Sequence, residues 1–226
     1  MSKLVKACIG LAAFVALCAV PAGAFASPLL TAPTGTSVPV GANIVGKNVG
    51  NTVMTDSSGN ALVTCEKAEM TGTVVENSGT SLRGTIETAS FTNKAATECS
   101  GSIGATTVTT NPATNGLPWC IEAKSTFSKD EFRVRGNSCA SAARPIRFVL
   151  DVTTFLGTIQ CTYQRPATEP LTGTYTTHPE DARMTISKVK FPLLEGGACP
   201  SEGFLDMTFT LERETGGGLF DTAYID

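Results

Sequence analysis

Two stretches, GTIETASFTNKAATEC at residues 84–99 and MTISKVKFPLLEGGAC at residues 184–199, lie one hundred positions apart and align without a gap. Unrelated segments of this length would match at about one position, whereas these match at four. The shared residues are Thr85 and Thr185, Ile86 and Ile186, Phe91 and Phe191, and Cys99 and Cys199. The match predicts an internal duplication and an architecture made of two related halves.

The likeness extends upstream of both stretches. Cys65 is followed by TGTV at 71–74, and Cys161 is followed by TGTY at 172–175. Each half therefore reads as a cysteine strand, a TGT strand, a TIxxxxF strand, a loop with a second cysteine and a threonine-alternating strand. The lengths between these elements differ, as surface loops tolerate. The alternative is that threonine-rich strands resemble one another by composition alone.

Residues 1–26 have the pattern of an export signal. Lys3 and Lys6 precede an uncharged apolar run at 7–20, which ends in small residues, and cleavage is predicted after Ala26. A membrane anchor is the rival reading, but the run is shorter than the roughly 20 residues that span a bilayer. A lipoprotein signal at Cys18 is a weaker one, because Leu17 is a poor match. The prediction is a secreted protein, extracellular or in the cell envelope, with no transmembrane segment in the mature chain.

Cleavage after Ala26 leaves 200 of the 226 residues, enough for a single all-β domain. Without Lys3 and Lys6, 15 of the 17 basic side chains remain against 20 acidic ones, a formal charge of −5. This balance disfavours nucleic acid and anionic membrane surfaces as partners.

Six cysteines remain once Cys8 and Cys18 leave with the signal, and an even number in an exported chain predicts disulfides. Structural zinc is the competing reading, but the chain has no CxxC pair and a single histidine, so no metal site is predicted. Six cysteines allow 15 pairings. The symmetry of the two copies favours Cys65–Cys99 and Cys161–Cys199, which leaves Cys120–Cys139.

Short runs rich in Thr, Val, Ile and Phe, broken by Gly, Pro, Asn and Ser, recur about every ten residues and predict strands. The predicted fold is all-β, an antiparallel β-sandwich or barrel built from two related meander halves and held by disulfides. Residues 61–226 form the single domain, with the halves at about 61–115 and 157–213. Residues 27–60 are predicted to be a flexible N-terminal arm or an edge strand, because Pro39 cannot donate into a central ladder.

Alternation along the strands predicts which side chains face the core. Trp119 and Ile121 should point inward, and Glu122 and Lys124 outward. Similar apolar stripes occur at residues 132–134 and 146–152. Ile86 and Phe91, like Ile186 and Phe191, lie five residues apart and would face opposite sides of a straight strand, so the strand either bulges or is covered on both faces.

The chain resembles secreted, cysteine-containing all-β proteins of actinobacterial type whose function is uncharacterised. The residues that carry the resemblance are Cys65, Thr71-Gly72-Thr73, Cys99, Leu117-Pro118-Trp119, Cys161, Thr172-Gly173-Thr174 and Cys199. The resemblance implies an exported all-β domain and carries over no catalytic residue.

Catalytic chemistry has little support in the sequence. His178 is the single histidine, no GxSxG segment accompanies it, and its neighbours suit a solvated turn. Carboxylates near core strands, Glu122, Asp130, Glu131 and Asp151, could form a glycosidase-like pair, but solvated strand faces explain them as well. The sequence lacks Walker, GxGxxG and EF-hand motifs, so no cofactor is predicted.

A group of arginines at positions 133, 135, 144 and 147 could form a strip for an acidic polymer, although charged outer strand faces are the simpler interpretation. The functional prediction is a secreted protein that binds or has a structural role, with an extracellular polymer or protein as the partner class and no catalytic residues. The alternatives are a secreted hydrolase with paired carboxylates and a barrel that carries an apolar ligand.

Overall fold

The computed structural model describes residues 29–32, 34–101, 105–109, 116–177 and 182–226, and every regular element in these ranges is a strand. The strands are β1 Leu29–Thr31, β2 Thr36–Ser37, β3 Asn43–Asn48, β4 Thr52–Thr55, β5 Ala61–Cys65, β6 Lys67–Ser78, β7 Ser81–Thr92, β8 Cys99–Gly101, β9 Ala105–Thr109, β10 Trp119–Lys124, β11 Glu131–Gly136, β12 Ile146–Thr154, β13 Gly157–Arg165, β14 Leu171–Tyr175, β15 Met184–Glu195, β16 Glu202–Gly216 and β17 Leu219–Ile225.

Eight of these strands close into an antiparallel barrel, which we call the first ring. Its order is β3, β6, β7, β10, β11, β14, β15 and β16, and β16 pairs back to β3. Closure leaves no free edge in this ring, which removes the main aggregation hazard of a sheet protein. The predicted all-β barrel class is confirmed.

The remaining central strands form a second circuit of pairings, the second ring. It runs β4, β5, β8, β9, β12 and β13, and it joins β16 at one end and β15 at the other. The long hairpin of β15 and β16 therefore belongs to both rings.

The first and last described strands, β1 and β17, lie together beside the first ring. β1 pairs with β17, with Leu29 opposite Ile225, and β17 pairs with the last part of β16. The side chain of Asn77 holds β1 in place: its amide donates to the carbonyls of Leu29 and Val38, at 3.0 and 2.7 Å, and its oxygen accepts from the Leu29 N–H at 2.8 Å. This arrangement places Leu29 and Ile225 in buried positions.

The glycine of each TGT strand lies where two backbones come unusually close. A Cβ on Gly72 would lie 2.0 Å from the carbonyl oxygen of Thr85, and a Cβ on Gly173 would lie 2.5 Å from that of Thr185. Only glycine fits such an approach. The two contacts join corresponding positions of the two predicted halves.

A bulge interrupts the TIxxxxF strand of each predicted half, β7 and β15, which we call the TI strands. The bulge explains how the isoleucine and the phenylalanine, five residues apart, can face the same side. In β7 the register shifts so that Ile86, Ala89 and Phe91 are all buried. In β15 it shifts between Ile186 and Val189, and Phe191 beyond them is buried too. The extra residues re-aim the strand, so both apolar side chains of the motif face the same interior.

An aromatic cluster fills the core where the two rings meet. The Phe148 ring from β12 packs edge-on against Phe91, Phe191 and Trp119, with centroids 5.9, 5.1 and 5.8 Å away. Trp119 is 3% exposed, which confirms its predicted core position. The predicted inward stripes at 132–134 and 146–152 are buried as well.

Three disulfides link Cys65 to Cys99, Cys120 to Cys139 and Cys161 to Cys199. The pairing predicted from symmetry is confirmed. In each half the bridge ties the cysteine strand to the segment that follows the TI strand, whereas Cys120–Cys139 ties β10 to the loop after β11.

The prediction of an arm or edge strand before residue 61 was wrong for residues 43–48 and 52–55. These residues form β3 and β4, and each of these strands has a neighbour on both sides. Pro39 lies between β2 and β3, so it interrupts no ladder. The predicted signal at 1–26 lies outside the described residues.

Candidate functional site

An apolar cavity of about 70 Å³ lies inside the first ring. Ring strands contribute most of its wall, including Ile44, Met70, Ile121, Phe132, Met184 and Phe209. Leu29 and Ile225 from the β1–β17 pair close part of it. The cavity is therefore an internal site rather than a surface cleft.

The tip of the β12–β13 hairpin presents two large apolar side chains to solvent. Phe155 is 96% exposed and Leu156 is 85% exposed. The last strand pair joins Thr154 to Gly157, and Gly157 has a φ of 125°. The Thr154 hydroxyl accepts from the Leu156 N–H at 3.2 Å and donates to the Gly157 carbonyl at 2.8 Å. Thr154 and Gly157 thus shape the turn, and the apolar side chains are not needed for it.

Sequence reasoning had no role for Phe155 and Leu156. A signal was present, because two adjacent apolar residues occupy a connection between predicted strands where Asn, Asp or Gly is usual. No charged residue occurs from 152 to 159, so the tip is also electrically neutral.

Glu122 forms the main charged cluster on the wall of the first ring. Its carboxylate binds Lys124, lies 3.3 Å from the Arg135 Nε and lies 3.9 Å from the Arg83 Nε. Arg83 and Arg135 also donate to the carbonyl of Cys139. Burial alone would raise the pKa of Glu122, but hydrogen bonds and charge from Lys124 and Arg135 outweigh it and hold the pKa below its ordinary value.

The prediction that Glu122 is a solvated outer residue was half right. It does lie with cations, away from the apolar interior, yet it is only 9% exposed. The loop that carries Cys139 lies against its arginine partners, and the Cys120–Cys139 bridge fixes that loop.

Three of the four arginines in the predicted strip have side-chain partners, and Arg144 is exposed. The Arg133 Nε lies 2.5 Å from the Glu131 carboxylate, and its guanidinium lies 3.9 Å above the Phe127 ring. Arg147 donates a hydrogen bond to the Gln164 side chain at 2.6 Å, and Arg135 forms an ion pair with Glu122. These arginines have separate structural partners.

Three of the four suspected carboxylates, all except Asp130, are likewise engaged with other groups. Glu131 pairs with Arg133, Asp151 accepts from the Gln160 amide at 2.7 Å, and Glu122 lies among cations. Within the described ranges, no group of three or more His, Cys, Asp or Glu residues is arranged to hold a metal ion. His178 lies outside those ranges.

In the part of the chain that the structure describes, no helix has the length and apolar character needed to cross a membrane.

Comparisons of the chain with protein-family models, with curated proteins and with solved structures found no match. The likeness to actinobacterial secreted proteins therefore stays a prediction, and the geometry is the basis for a functional proposal.

Proposed function

We propose that this chain is an exported binding protein that docks on a partner protein through its β12–β13 hairpin tip. The observation that carries the proposal is the exposure of Phe155 and Leu156 at a turn that does not need them. Export is supported by the signal-like residues 1–26 and by the three disulfides, which persist in oxidising compartments.

The tip has the properties of an interface anchor. An aromatic side chain that enters a partner pocket carries a large share of binding energy in most interfaces. Burying Phe155 or Leu156 would contribute about 1.5 to 3 kcal/mol each. The turn has two residues and closes a ladder of nine residue pairs, so few residues need to be ordered on binding.

A protein pocket fits the tip better than a lipid surface does. Segments that settle on anionic membranes combine apolar side chains with Lys or Arg. The tip carries no charge, and Asp151, one residue beyond the uncharged stretch, is acidic.

The test compares the wild-type protein with the double variant Phe155→Ser and Leu156→Ser. To identify the partner, Phe155 is replaced by the photocrosslinker p-benzoylphenylalanine, and the protein is irradiated in the presence of a cell-envelope fraction of the source organism. The control protein carries the same photocrosslinker at Val40, which is also exposed. We expect one protein to be crosslinked from the tip and not from position 40. The crosslinked partner should bind the wild type with at least tenfold higher affinity than it binds the double variant.

Two results would overturn the proposal. The first is equal affinity of the wild type and the double variant for the crosslinked protein. The second is binding of the wild type to neutral phosphatidylcholine vesicles that the double variant loses, which would make lipid the target. The free energies of unfolding of the wild type and the double variant should agree within about 0.5 kcal/mol, since exposed positions contribute little to stability.

We also infer that the first ring arose by duplication of a four-strand unit. Ring order and chain order agree, with β3, β6, β7 and β10 from one half followed by β11, β14, β15 and β16 from the other. The matching approaches at Gly72 and Gly173 and the matching bulges support this inference. The units that it implies are longer than the predicted halves, because each begins at a strand before its cysteine strand.

A further inference from the structure

We propose that the cavity of the first ring is a binding site for a small uncharged apolar molecule, entered by displacement of β1. The proposal is independent of docking at the hairpin tip, since the tip belongs to the second ring and the cavity to the first.

Small residues line part of the cavity at positions where the backbone would also accept a larger side chain. A Cβ on Gly46 would lie 3.5 Å from Phe209 and 3.7 Å from Met70, which are ordinary contact distances. Unlike Gly72 and Gly173, Gly46 has no backbone contact that demands glycine. Glycine inside a strand is destabilising and often marks close approach of a ligand. Ala123, on β10, also borders the cavity.

Three of the four polar residues that border the cavity direct their side chains elsewhere. The Thr71 hydroxyl bonds to that of Thr88 at 2.6 Å, Thr73 donates to Glu87 at 3.2 Å, and Glu122 lies among its cations. A ligand with hydrogen-bonding groups would lose its water contacts without replacement, at a cost of several kcal/mol by the cyclohexane scale. The site therefore selects apolar molecules without hydrogen-bonding groups.

The size of the cavity limits the ligand. An engineered apolar cavity of about 150 Å³ binds benzene and xenon and stays dry when empty. This cavity, at about 70 Å³, is smaller. Met70 and Met184 lie in its wall, and methionine side chains rearrange readily around irregular shapes. Xenon should enter with little movement, and benzene should enter when these side chains shift.

β1 is the shortest strand that borders the cavity. It has three residues, which pair with β17 and β2, and Asn77 fastens it at Leu29. Short, lightly held segments open at a much lower free energy than the global unfolding reaction. Release of β1 would uncover the cavity beside Leu29.

The first experiment measures binding of xenon by ¹²⁹Xe NMR and of benzene by protein NMR titration. We expect saturable binding to the wild type and to Val40→Leu, which adds apolar volume at the surface. Ala123→Leu fills the cavity and should lose at least tenfold in affinity. Gly46→Ala, a milder filling, should lose less and serves if Ala123→Leu fails to fold. Absence of saturable binding to the wild type, or equal binding to Gly46→Ala, would overturn the site.

The second experiment tests the entry route with Asn77→Ala. This substitution removes the two hydrogen bonds between Asn77 and Leu29 of β1, so benzene exchange should become at least tenfold faster. The control Asn43→Ala removes an exposed side chain that donates to Glu214 at 3.1 Å and should leave exchange unchanged. An unchanged exchange rate in Asn77→Ala would refute entry past β1.

Discussion

Glu122 shows what one residue contributes when a strand face is covered from outside. Alternation on β10 correctly predicts that it points away from Trp119 and the core, because that depends only on neighbours in the chain. Its burial could not be predicted, because it depends on Arg83 from β7 and on a loop fixed by a disulfide. Phe155 and Leu156 illustrate the converse, since their exposure follows from a turn two residues long.

Replacement of Glu122 by glutamine should lower the free energy of unfolding at pH 7 by about 1 to 3 kcal/mol, the range for a lost hydrogen bond to a charged group. The folded-state pKa of Glu122 lies below its ordinary value of 4.5, so its contribution is complete above that pH and is lost as the pH falls through the folded-state pKa. Urea unfolding between pH 7 and pH 3 measures both effects.

The difference between wild type and Glu122→Gln should therefore shrink toward pH 3. Glu87→Gln, at an exposed position on the neighbouring strand, is the control and should shift stability by less than about 0.5 kcal/mol at every pH. A difference that stays constant down to pH 3 would show that the charge of Glu122 has no stabilising role.

Among the strands, the bulged TI strands β7 and β15 show the closest correspondence between the two predicted halves. The sequence predicted β7 and β15 well, since their alternating runs are long and rich in strand-forming residues. It could not choose between a bulge and a strand covered on both sides, because that choice depends on partner strands distant in the chain. β1, β2 and β4 were missed and β3 was predicted only as part of an arm or edge strand, because short strands among Gly, Pro and Asn have weak local patterns.

The bulge in β15 leads to a prediction for Lys188, which has a φ of 48°. This left-handed conformation costs about 1 to 2 kcal/mol for a residue with a side chain and little for glycine. Lys188→Gly should therefore raise the free energy of unfolding by about 0.5 kcal/mol, after the greater unfolded-state entropy of glycine is included. The Lys188 N–H bond to Asp206 needs no side chain and should remain.

Lys190→Gly provides the comparison, since Lys190 lies in the regular part of the same strand. It should lower the free energy of unfolding by about 0.5 to 1 kcal/mol. Equal destabilisation by the two substitutions in guanidinium unfolding would contradict the assigned bulge.

Considered as a whole, the molecule is two rings built on a common hairpin and a common aromatic core. The fold class and the disulfide pairing followed from strand spacing and from the cysteine symmetry. Ring closure could not be predicted, because β16 pairs with both β3 and β4, whose residues local patterns assigned to an arm or an edge strand. The cavity likewise depends on side chains from many strands and has no sequence signal of its own.

The rings should unfold in a single cooperative step. β15 and β16 pair in both, and Trp119 of the first ring packs on Phe148 of the second. Trp119 is the single tryptophan, so its fluorescence reports on this junction, while far-UV circular dichroism reports on all strands. The two urea transitions should coincide. Separate midpoints would mean that the rings are independent units.

The three disulfides have a further consequence, because none of them spans the chain between Cys139 and Cys161. A protease that nicks the backbone between Phe155 and Leu156 would leave two fragments without a covalent link. The fragments would still share the ladders of β12 with β13 and of β16 with β3 and β4. The cut protein would then persist as a complementing pair, whose separation depends on denaturant rather than on a reductant.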